Sequence, residues 1–369
     1  MKRLAGRVAV TMAVALMAGQ AAAADLEQIY REALAYDAAL AAARASAEAG
    51  REKLPQGRAG LLPSLNLTGN TNWNDSTLHA AKDSAGRYNS NGWQVQLTQP
   101  LFRWQNWVQY KQGEIQAALA DAQFELARQD LTLRAAQAYF DVLAAQDVLA
   151  AAQALNEANT QQLALAKKSF EVGTVTITDV HEAQSRADLS SAQVIAAESD
   201  LAVKRHALLV LTGKEPDSLK GLRKGVALSR PDPTDIQSWV AAAEASNLSV
   251  QANQLVSEIA TREVERNRAG HLPTVDMVAS RGNTATSNPL GNFSAYNTDS
   301  TVVGLQLAVP LFQGGATNSR VREASALREK AVSDLDNARR TAAARILSCL
   351  KQEEPKETKK EKSKKEAAE

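Results

Sequence analysis

The sequence has few of the residues from which metal sites, disulfides and covalent active sites are built. It contains one cysteine, Cys349, and four histidines in 369 residues, and the histidines are not spaced as metal ligands. A single cysteine cannot form a disulfide within the chain. The Gly-Gly pair at 314–315 lacks the rest of any nucleotide-binding motif. We therefore expect no enzyme activity, no cofactor and no metal site.

Long apolar runs and a surplus of basic residues are also missing. After residue 24 there is no run of 18 or more apolar residues, which excludes a membrane-spanning helix. Lys2, Arg3 and Arg7 belong to an N-terminal leader, and without them 42 − 3 = 39 basic residues stand against 41 acidic residues. This balance predicts no nucleic-acid partner.

Residues 1–24 have the pattern of a secretion signal. Three basic residues precede an apolar stretch at 8–17, and alanines at 22–24 form a small-residue cleavage site. We therefore expect the rest of the chain to be exported.

What the sequence does contain is an internal duplication with a constant offset. Residues 58–63 (RAGLLP) return as 268–273 (RAGHLP), and the Pro-Leu-Phe motif at 100–102 returns at 310–312, so that 268 − 58 and 310 − 100 both give 210. Because the spacing between the motifs is kept, one structural unit has been duplicated. The predicted segments are a signal peptide (1–24), a first repeat (25–213), a connector (214–233), an incomplete second repeat (234–349) and a charged disordered tail (350–369).

Each repeat has two segments in which apolar and polar residues alternate, as in strands with one apolar face. In the first repeat they cover 65–73 and 93–99, and a polar loop joins them as a hairpin. The polar positions carry Asn, Gln, Ser and Thr rather than Lys and Glu, which favours a lipid face backed by a water-filled lumen. The alternative is a soluble hairpin packed on a core. The predicted lipid-facing residues are Leu65, Leu67, Trp93, Val95, Leu97, Val275, Met277, Val303, Leu305 and Leu307.

From Trp104 the apolar period changes to seven, which is typical of a coiled coil. A helix is expected to run to about Glu171, and about 70 residues of helix span about 100 Å. The chain then reverses at 172–174 and returns as a second helix that ends at 212–213, so we predict a long helical hairpin. The predicted seam residues are Leu119, Leu126, Leu133 and Phe140 on the outgoing helix and Val180, Ala187, Val194, Leu201 and Leu208 on the returning helix.

Four strands are too few to close a membrane barrel, and an open sheet edge in lipid leaves backbone groups without partners. Three chains would supply twelve strands, and the same symmetry would gather their helices into a cylinder. The predicted fold is an α+β membrane protein that duplicates a transmembrane β-hairpin joined to a long coiled-coil helical hairpin. The predicted assembly is a homotrimer with a twelve-strand β-barrel continued by an α-helical barrel.

Several motifs of this chain together resemble the TolC family of bacterial outer-membrane exit ducts. They are Leu62-Pro63, QLTQPLF at 96–102, AYFDVL at 138–143 and FEVGTVTITDV at 170–180. The resemblance covers residues 25 to about 344. It implies an outer-membrane channel of a tripartite efflux pump or a type I secretion system, reaching into the periplasm and conducting substrates passively. The partners it implies are a periplasmic adaptor (membrane fusion) protein, an inner-membrane pump and outer-membrane lipid.

The resemblance also assigns roles to residues at the helical reversal. Val172, Gly173 and Thr174 would form the tip on which the adaptor docks, and Asp179 would help to hold the periplasmic gate closed. The alternatives are structural. Gly173 would only supply the positive φ of a tight turn, and Asp179 would be a solvated carboxylate at a helix N-terminus.

The end of the sequence departs from the family pattern. Adding 210 to Gly173 predicts a second tip at position 383, whereas the sequence stops at Glu369 and its last 19 residues are dominated by Lys and Glu. We expect a C-terminal truncation that assembles poorly or leaks, in the extreme a non-functional duct. A natural short variant is the alternative.

The competing hypothesis is a periplasmic coiled-coil scaffold or adaptor that never enters the membrane. It would explain the helices and the signal peptide, but not the paired hairpins with an uncharged polar face. A simple porin is excluded because porins have almost all their mass in strands.

Overall fold

A computed structural model of the chain describes residues 24–79, 84–215, 218–222, 235–287 and 294–352. Nearly all of the predicted signal peptide, most of the connector and the tail beyond 352 lie outside these residues. In chain order the elements are α1 (Leu26–Tyr36), α2 (Ala38–Arg51), α3 (Lys53–Ala59), β1 (Ser64–Leu78), β2 (Ser84–Phe102), α4 (Trp104–Glu171), α5 (Ile177–Thr212), α6 (Ile236–Ser246), α7 (Leu248–Arg268), a 3₁₀ turn (Ala269–His271), β3 (Thr274–Thr286), β4 (Tyr296–Ala308) and α8 (Ala316–Gln352).

The duplication seen in the sequence recurs in the secondary structure. Helices α1 and α6 both have 11 residues, and α6 begins 210 residues after α1. Each copy opens on an aspartate N-cap, since the Asp25 carboxylate accepts from the Gln28 N–H and the Asp235 carboxylate accepts from the N–H groups of Gln237 and Ser238. Strand β3 likewise begins 210 residues after β1.

The four strands form one antiparallel sheet in the order β1-β2-β3-β4. Leu65 lies opposite Leu97 in the first hairpin, and Val275 lies opposite Leu307 in the second, so both hairpins have the same register after the 210-residue shift. The strands have 13 to 19 residues and are longer than the alternation predicted. The reason is that Asn, Ser and Thr occupy both faces near the tips, where backbone pairing continues without an apolar pattern.

One compact unit lies within Met1–Arg44 and Glu125–Arg230. Its main core cluster joins α1, α4 and α5 and includes Ile29, Tyr139, Val142, Leu201 and Leu208. The Tyr139 hydroxyl donates to the carbonyl of Lys220. Ala24 is buried and its backbone forms a bridge to Leu219, so cleavage after Ala24 would remove this bridge from the mature chain.

The predicted seam is partly wrong for the outgoing helix. In α4, Leu133 is 71% exposed and Phe140 is 42% exposed, whereas Leu131, Ala135 and Val142 are buried. Apolar residues lie on more than one face of α4, and a period of seven identifies a stripe without saying which neighbour covers it. The prediction for the returning helix is better, since Ala187, Leu201 and Leu208 are buried in α5.

The other compact unit lies within Ala45–Phe124 and Pro231–Glu369 and contains the sheet. Helix α8 packs along α6 and α7 in this unit. Its buried residues Ala324, Ala331 and Ala342 are small, which permits a close approach of neighbouring helices. This unit combines residues of both repeats, whereas the first unit contains no residue of the second repeat, and the predicted repeat boundaries stay predictions.

Two glycines with positive φ provide a matched test of the contact between Gly213 and the Tyr36 ring, both in the first compact unit. Gly173 has φ 75° and open space where a Cβ would lie, whereas Gly213 has φ 71° and a Cβ there would lie 2.5 Å from the Tyr36 ring. Gly173→Ala should lower the free energy of unfolding by about 1 kcal/mol, from backbone strain alone. Gly213→Ala should lower it by about 1–3 kcal/mol more, because the ring must move. Denaturant unfolding followed by circular dichroism measures both, and equal losses would contradict the contact.

Candidate functional site

The sheet has an apolar face that runs across all four strands. The register places Leu65, Leu97, Ala279 and Val303 side by side in one row. The ten residues predicted to face lipid all occupy alternate positions on this one face. Five of them are between 65% and 72% exposed, namely Leu65, Leu67, Val303, Leu305 and Leu307. This broad apolar surface is therefore left uncovered by the residues that the structure describes.

The opposite face of the sheet is polar and nearly free of charge. One of its rows joins Asn66, Gln96, Ser280 and Val302, and the next joins Thr68, Gln94, Gly282 and Ser300. The Gln96 side-chain amide donates to the Thr98 hydroxyl at 3.3 Å, along the same strand. Uncharged donors and acceptors of this kind suit a surface in contact with water.

An ion pair that the sequence analysis missed lies at the helical end of the sheet. Arg103 follows β2, and its guanidinium binds both carboxylate oxygens of Asp276 on β3, at 2.8 and 2.5 Å. Asp276 is only 5% exposed, so the pair ties the first repeat to the second. On the polar face of β3, every residue up to Thr286 is uncharged except Asp276. This isolated charge was the one signal for the ion pair in the sequence.

The predicted docking tip is a tight reversal between α4 and α5. Gly173 adopts the left-handed conformation that the turn requires. The N–H and the hydroxyl of Thr174 both donate to the Ser169 carbonyl at 2.9 Å, which closes the end of α4. Val172 is 75% exposed at this reversal. An ordered turn thus presents an uncovered apolar side chain.

Asp179 lies in the first turn of α5 and caps it. The Thr176 N–H donates to the Asp179 carboxylate at 2.8 Å, and the Asp179 N–H donates to the Thr176 hydroxyl at 3.3 Å, which is a capping box. These bonds from the backbone and hydroxyl of Thr176 lower the pKa of Asp179. The structure therefore gives Asp179 the helix-start role, and its role in a gate stays a prediction.

Two features are absent from the described part of the chain. No group of three His, Cys, Asp or Glu side chains there could hold a metal ion. Among the described helices, none combines the length and the hydropathy needed to cross a membrane.

Comparison with solved structures tests the predicted fold. VceC of Vibrio cholerae superposes with a TM-score of 0.74 at 19% identity, over 92% of this chain and 81% of VceC. CusC superposes with a TM-score of 0.73 at 16% identity, over 89% of this chain and 75% of CusC. The predicted TolC-like fold is confirmed.

The chain belongs to the outer membrane efflux protein family, whose model matches residues 29–214 and 239–352. It is 33% identical to the proteases secretion protein PrtF of Dickeya chrysanthemi, over 92% of this chain and 75% of PrtF. It is 34% identical to the outer membrane protein TolC of Vibrio cholerae, over 90% of this chain and 75% of that protein. The alkaline protease secretion protein AprF of Pseudomonas aeruginosa is 34% identical, and the chain spans 65% of its length. Family membership confirms the predicted outer-membrane location and the predicted class of efflux or secretion channel.

The capping role of Asp179 leads to a testable difference between two substitutions. Asp179→Ala removes the acceptor for the Thr176 N–H, so amide hydrogen exchange at 176–180 should accelerate. Asp179→Asn keeps a side-chain oxygen acceptor and should change exchange less. Because the pKa of Asp179 is lowered, the carboxylate interaction is present above the ordinary carboxyl range and is lost as the pH falls through the lowered value. Unchanged exchange in the alanine variant would contradict the capping role.

Proposed function

We propose that this chain forms a homotrimeric duct that conducts substrates passively from the periplasm through the outer membrane. The observation that carries the proposal is a sheet with one exposed apolar face, one polar face that is nearly free of charge, and two edges that no other described strand pairs with. Lipid would cover the apolar face, water would fill the space along the polar face, and further copies would pair with the edges.

The apolar face supports contact with lipid. Its exposed residues have no cover within the described chain. On β3 and β4 the apolar band ends at the row of Arg281 and Thr301, and Trp93 lies one row further, opposite Asn283. Tryptophan at the boundary between an apolar band and a polar end is typical of a membrane interface. The ten predicted lipid-facing residues are proposed to contact the acyl chains.

The helical hairpin supports assembly with further copies. On α5, Leu189, Val203 and Val210 are 62–63% exposed and lie on a seven-residue repeat, because 189 and 203 differ by two sevens and 203 and 210 by one. On α4, Leu133 and Phe140 are exposed at the same spacing. Each hairpin therefore has a second apolar stripe besides the one buried in its own core, as expected for helices packed side by side in a wall.

The tip supports docking of a periplasmic adaptor. Val172, Gly173 and Thr174 form an ordered reversal with an exposed valine, and Asp179 stands one helical turn beyond Thr176 with its carboxylate accessible. An inner-membrane pump would supply the energy, since the described residues contain no nucleotide loop or metal cluster. Relatives named for protease secretion and for efflux both match, so the proposed cargo class includes both.

The competing function is a periplasmic scaffold that stays in water. Such a protein would have to leave Leu65, Leu67, Val303, Leu305 and Leu307 in contact with solvent, at a cost of about 1.5–3 kcal/mol for each large side chain relative to burial. The outer-membrane family match also disfavours it.

Two neighbouring residues of β4 test the assignment of the faces. Leu305 is on the apolar face, and Gln306 is on the polar face. Leu305→Arg should reduce outer-membrane assembly, because an arginine facing lipid costs about 2–4 kcal/mol near the bilayer centre. Gln306→Arg should assemble normally and shift the channel towards anion selectivity. Heat-resolved gel mobility and planar-bilayer conductance measure the outcomes, and the reverse pattern would mean that the faces are assigned wrongly.

A photo-crosslinking residue at position 172 tests the tip in the native host. The expected adduct is a periplasmic, inner-membrane-anchored protein of the adaptor class, identified by mass spectrometry. The matched control carries the same residue at Gln162, which is exposed on α4 nine residues before its end. Equal capture of the same protein at both positions, or capture at 162 alone, would argue against docking at the tip.

A further inference from the structure

One arginine lies within the apolar face of the sheet. Arg281 is on β3, directly opposite Val95 of β2 and Thr301 of β4, and it is exposed. Because residues that lie opposite each other on neighbouring strands share a face, Arg281 is on the same face as the predicted lipid-facing residues. An arginine on a lipid-facing surface is destabilising unless its charge has a partner.

The described part of the chain does not supply that partner. Arg281 forms no ion pair and no side-chain hydrogen bond with the residues that the structure describes. By contrast, the Arg87 guanidinium, on the same face nearer the hairpin tip, binds the Asp75 carboxylate at 3.0 Å. The Asp299 carboxylate lies diagonally from Arg281 and accepts from the Asn283 side-chain amide at 2.9 Å. The charge of Arg281 is therefore left without a counter-ion.

A neighbouring copy of this chain cannot provide a counter-ion from an adjacent strand. β3 pairs with β2 on one side and with β4 on the other, so both strands beside Arg281 belong to the same chain. Its direct neighbours, Val95 and Thr301, carry no charge. A partner for the guanidinium therefore has to come from the membrane side of the sheet.

The position of Arg281 along β3 indicates its depth in the membrane. Arg281 is six residues from Val275, which is about 20 Å along the strand and about 15 Å along the membrane normal for a tilt of about 40°. The apolar band of a membrane barrel is about 25 Å tall. On β4 the apolar positions of this face end at Val303, and Thr301 and Asp299 follow towards the tip. Arg281 thus lies near the boundary of the band on the side of the hairpin tips.

That boundary faces the outer leaflet in the proposed duct. β2 ends at Phe102 and α4 begins at Trp104, so the helical part starts at the end of the sheet opposite the hairpin tips. With the helices in the periplasm, the tips point to the cell exterior. The outer leaflet there is built of glycolipids that are phosphorylated on their sugar headgroup. Phosphate oxygens suit a guanidinium, which binds them through two parallel hydrogen bonds.

We propose that Arg281 binds a phosphate group of an outer-leaflet glycolipid. The Thr301 hydroxyl is exposed directly beside it, has no hydrogen bond within the described residues, and would donate to the same phosphate. Trp93 lies diagonally from Arg281, where its ring would border the headgroup region. The inference rests on the proposed lipid contact of this face, and it adds a specific ligand and the residues that hold it.

The duplication sets the number of these sites. The position 210 residues before Arg281 is Thr71, which is uncharged. The first repeat therefore has no equivalent of the arginine, and each chain would hold one phosphate in this way.

Retention of lipid A, a diphosphorylated and acylated disaccharide, tests the proposal. The mature full chain is reconstituted into phosphatidylcholine vesicles that contain diphosphoryl lipid A, dephosphorylated lipid A with the same acyl chains, or phosphatidylglycerol. After mild detergent extraction, native mass spectrometry measures the lipid retained by each chain. Arg281→Leu removes the charge, and Arg281→Lys keeps it without the bidentate geometry. Arg87→Gln is the matched control, because it removes an already paired arginine from the same face.

We expect diphosphoryl lipid A to bind Arg281→Leu about tenfold or more weakly than the wild type, the factor for loss of a hydrogen bond to a charged group. Arg281→Lys should lie between them, and Arg87→Gln should match the wild type. Equal binding by the wild type and Arg281→Leu overturns the site, as does equal binding of phosphorylated and dephosphorylated lipid A. Equal binding of phosphatidylglycerol and lipid A overturns the assignment to a glycolipid.

Heat stability separates lipid binding from a structural role of Arg281, such as a contact with Asp299. Loss of the sheet signal in circular dichroism is followed on heating. The wild type should outlast Arg281→Leu in vesicles with diphosphoryl lipid A, but not in phosphatidylcholine alone, whose phosphate is neutralised by choline. Greater resistance of the wild type in both lipids would show a role within the chain and refute the proposal.

Failure of this inference can be separated from failure of the proposed function. Vesicle insertion and conductance are measured on the same preparations. A wild type that inserts and conducts without phosphate-dependent retention refutes the site and leaves the duct intact. Retention that depends on Arg281 in a protein without conductance supports the site and refutes the duct. A wild type that does not insert refutes both.

Discussion

The constraint on which this structure depends is that backbone N–H and C=O groups at a sheet edge need partners wherever lipid excludes water. β1 and β4 each have one such edge, while β2 and β3 are paired on both sides. Exposure of the apolar face to water is unfavourable. Exposure of the unpaired edges to lipid is also unfavourable, because their backbone groups would lack hydrogen-bond partners. The proposed association of several copies would satisfy both requirements, with three copies giving twelve strands.

The same logic applies to the helices. The helical hairpin of α4 and α5 buries one apolar stripe within its own chain through residues such as Val142 and Leu201, and it leaves a second stripe exposed through Leu133, Phe140 and Val203. A protein that worked as a single chain would gain nothing from the second stripe. In the proposed ring of hairpins each exposed stripe would have a neighbour, so the strands and the helices favour the same association.

Much of this organisation could be predicted from the sequence, because it has a periodic signature. The 210-residue repeat, the alternating strands and the reversal at Gly173 all leave a pattern that can be read residue by residue. The strand ends could not be predicted, since polar residues pair through the backbone as well as apolar ones do. The sequence also could not show which face of α4 is buried, because the helix has two apolar stripes and packing against the rest of the chain covers only one of them. The contact of Arg103 with Asp276 joins residues 173 apart and has no local pattern.

Amide hydrogen exchange of the mature protein in lipid nanodiscs tests the central claim most directly, because it reports the hydrogen bonding of each strand. If the edges are paired between copies, the amides of β1 and β4 between Asn66 and Ser76 and between Ser300 and Ala308 should be as strongly protected as those of β2 and β3. If alternate amides of β1 and β4 exchange rapidly while β2 and β3 stay protected, the edges are free. The account of this protein as a closed assembly would then be wrong.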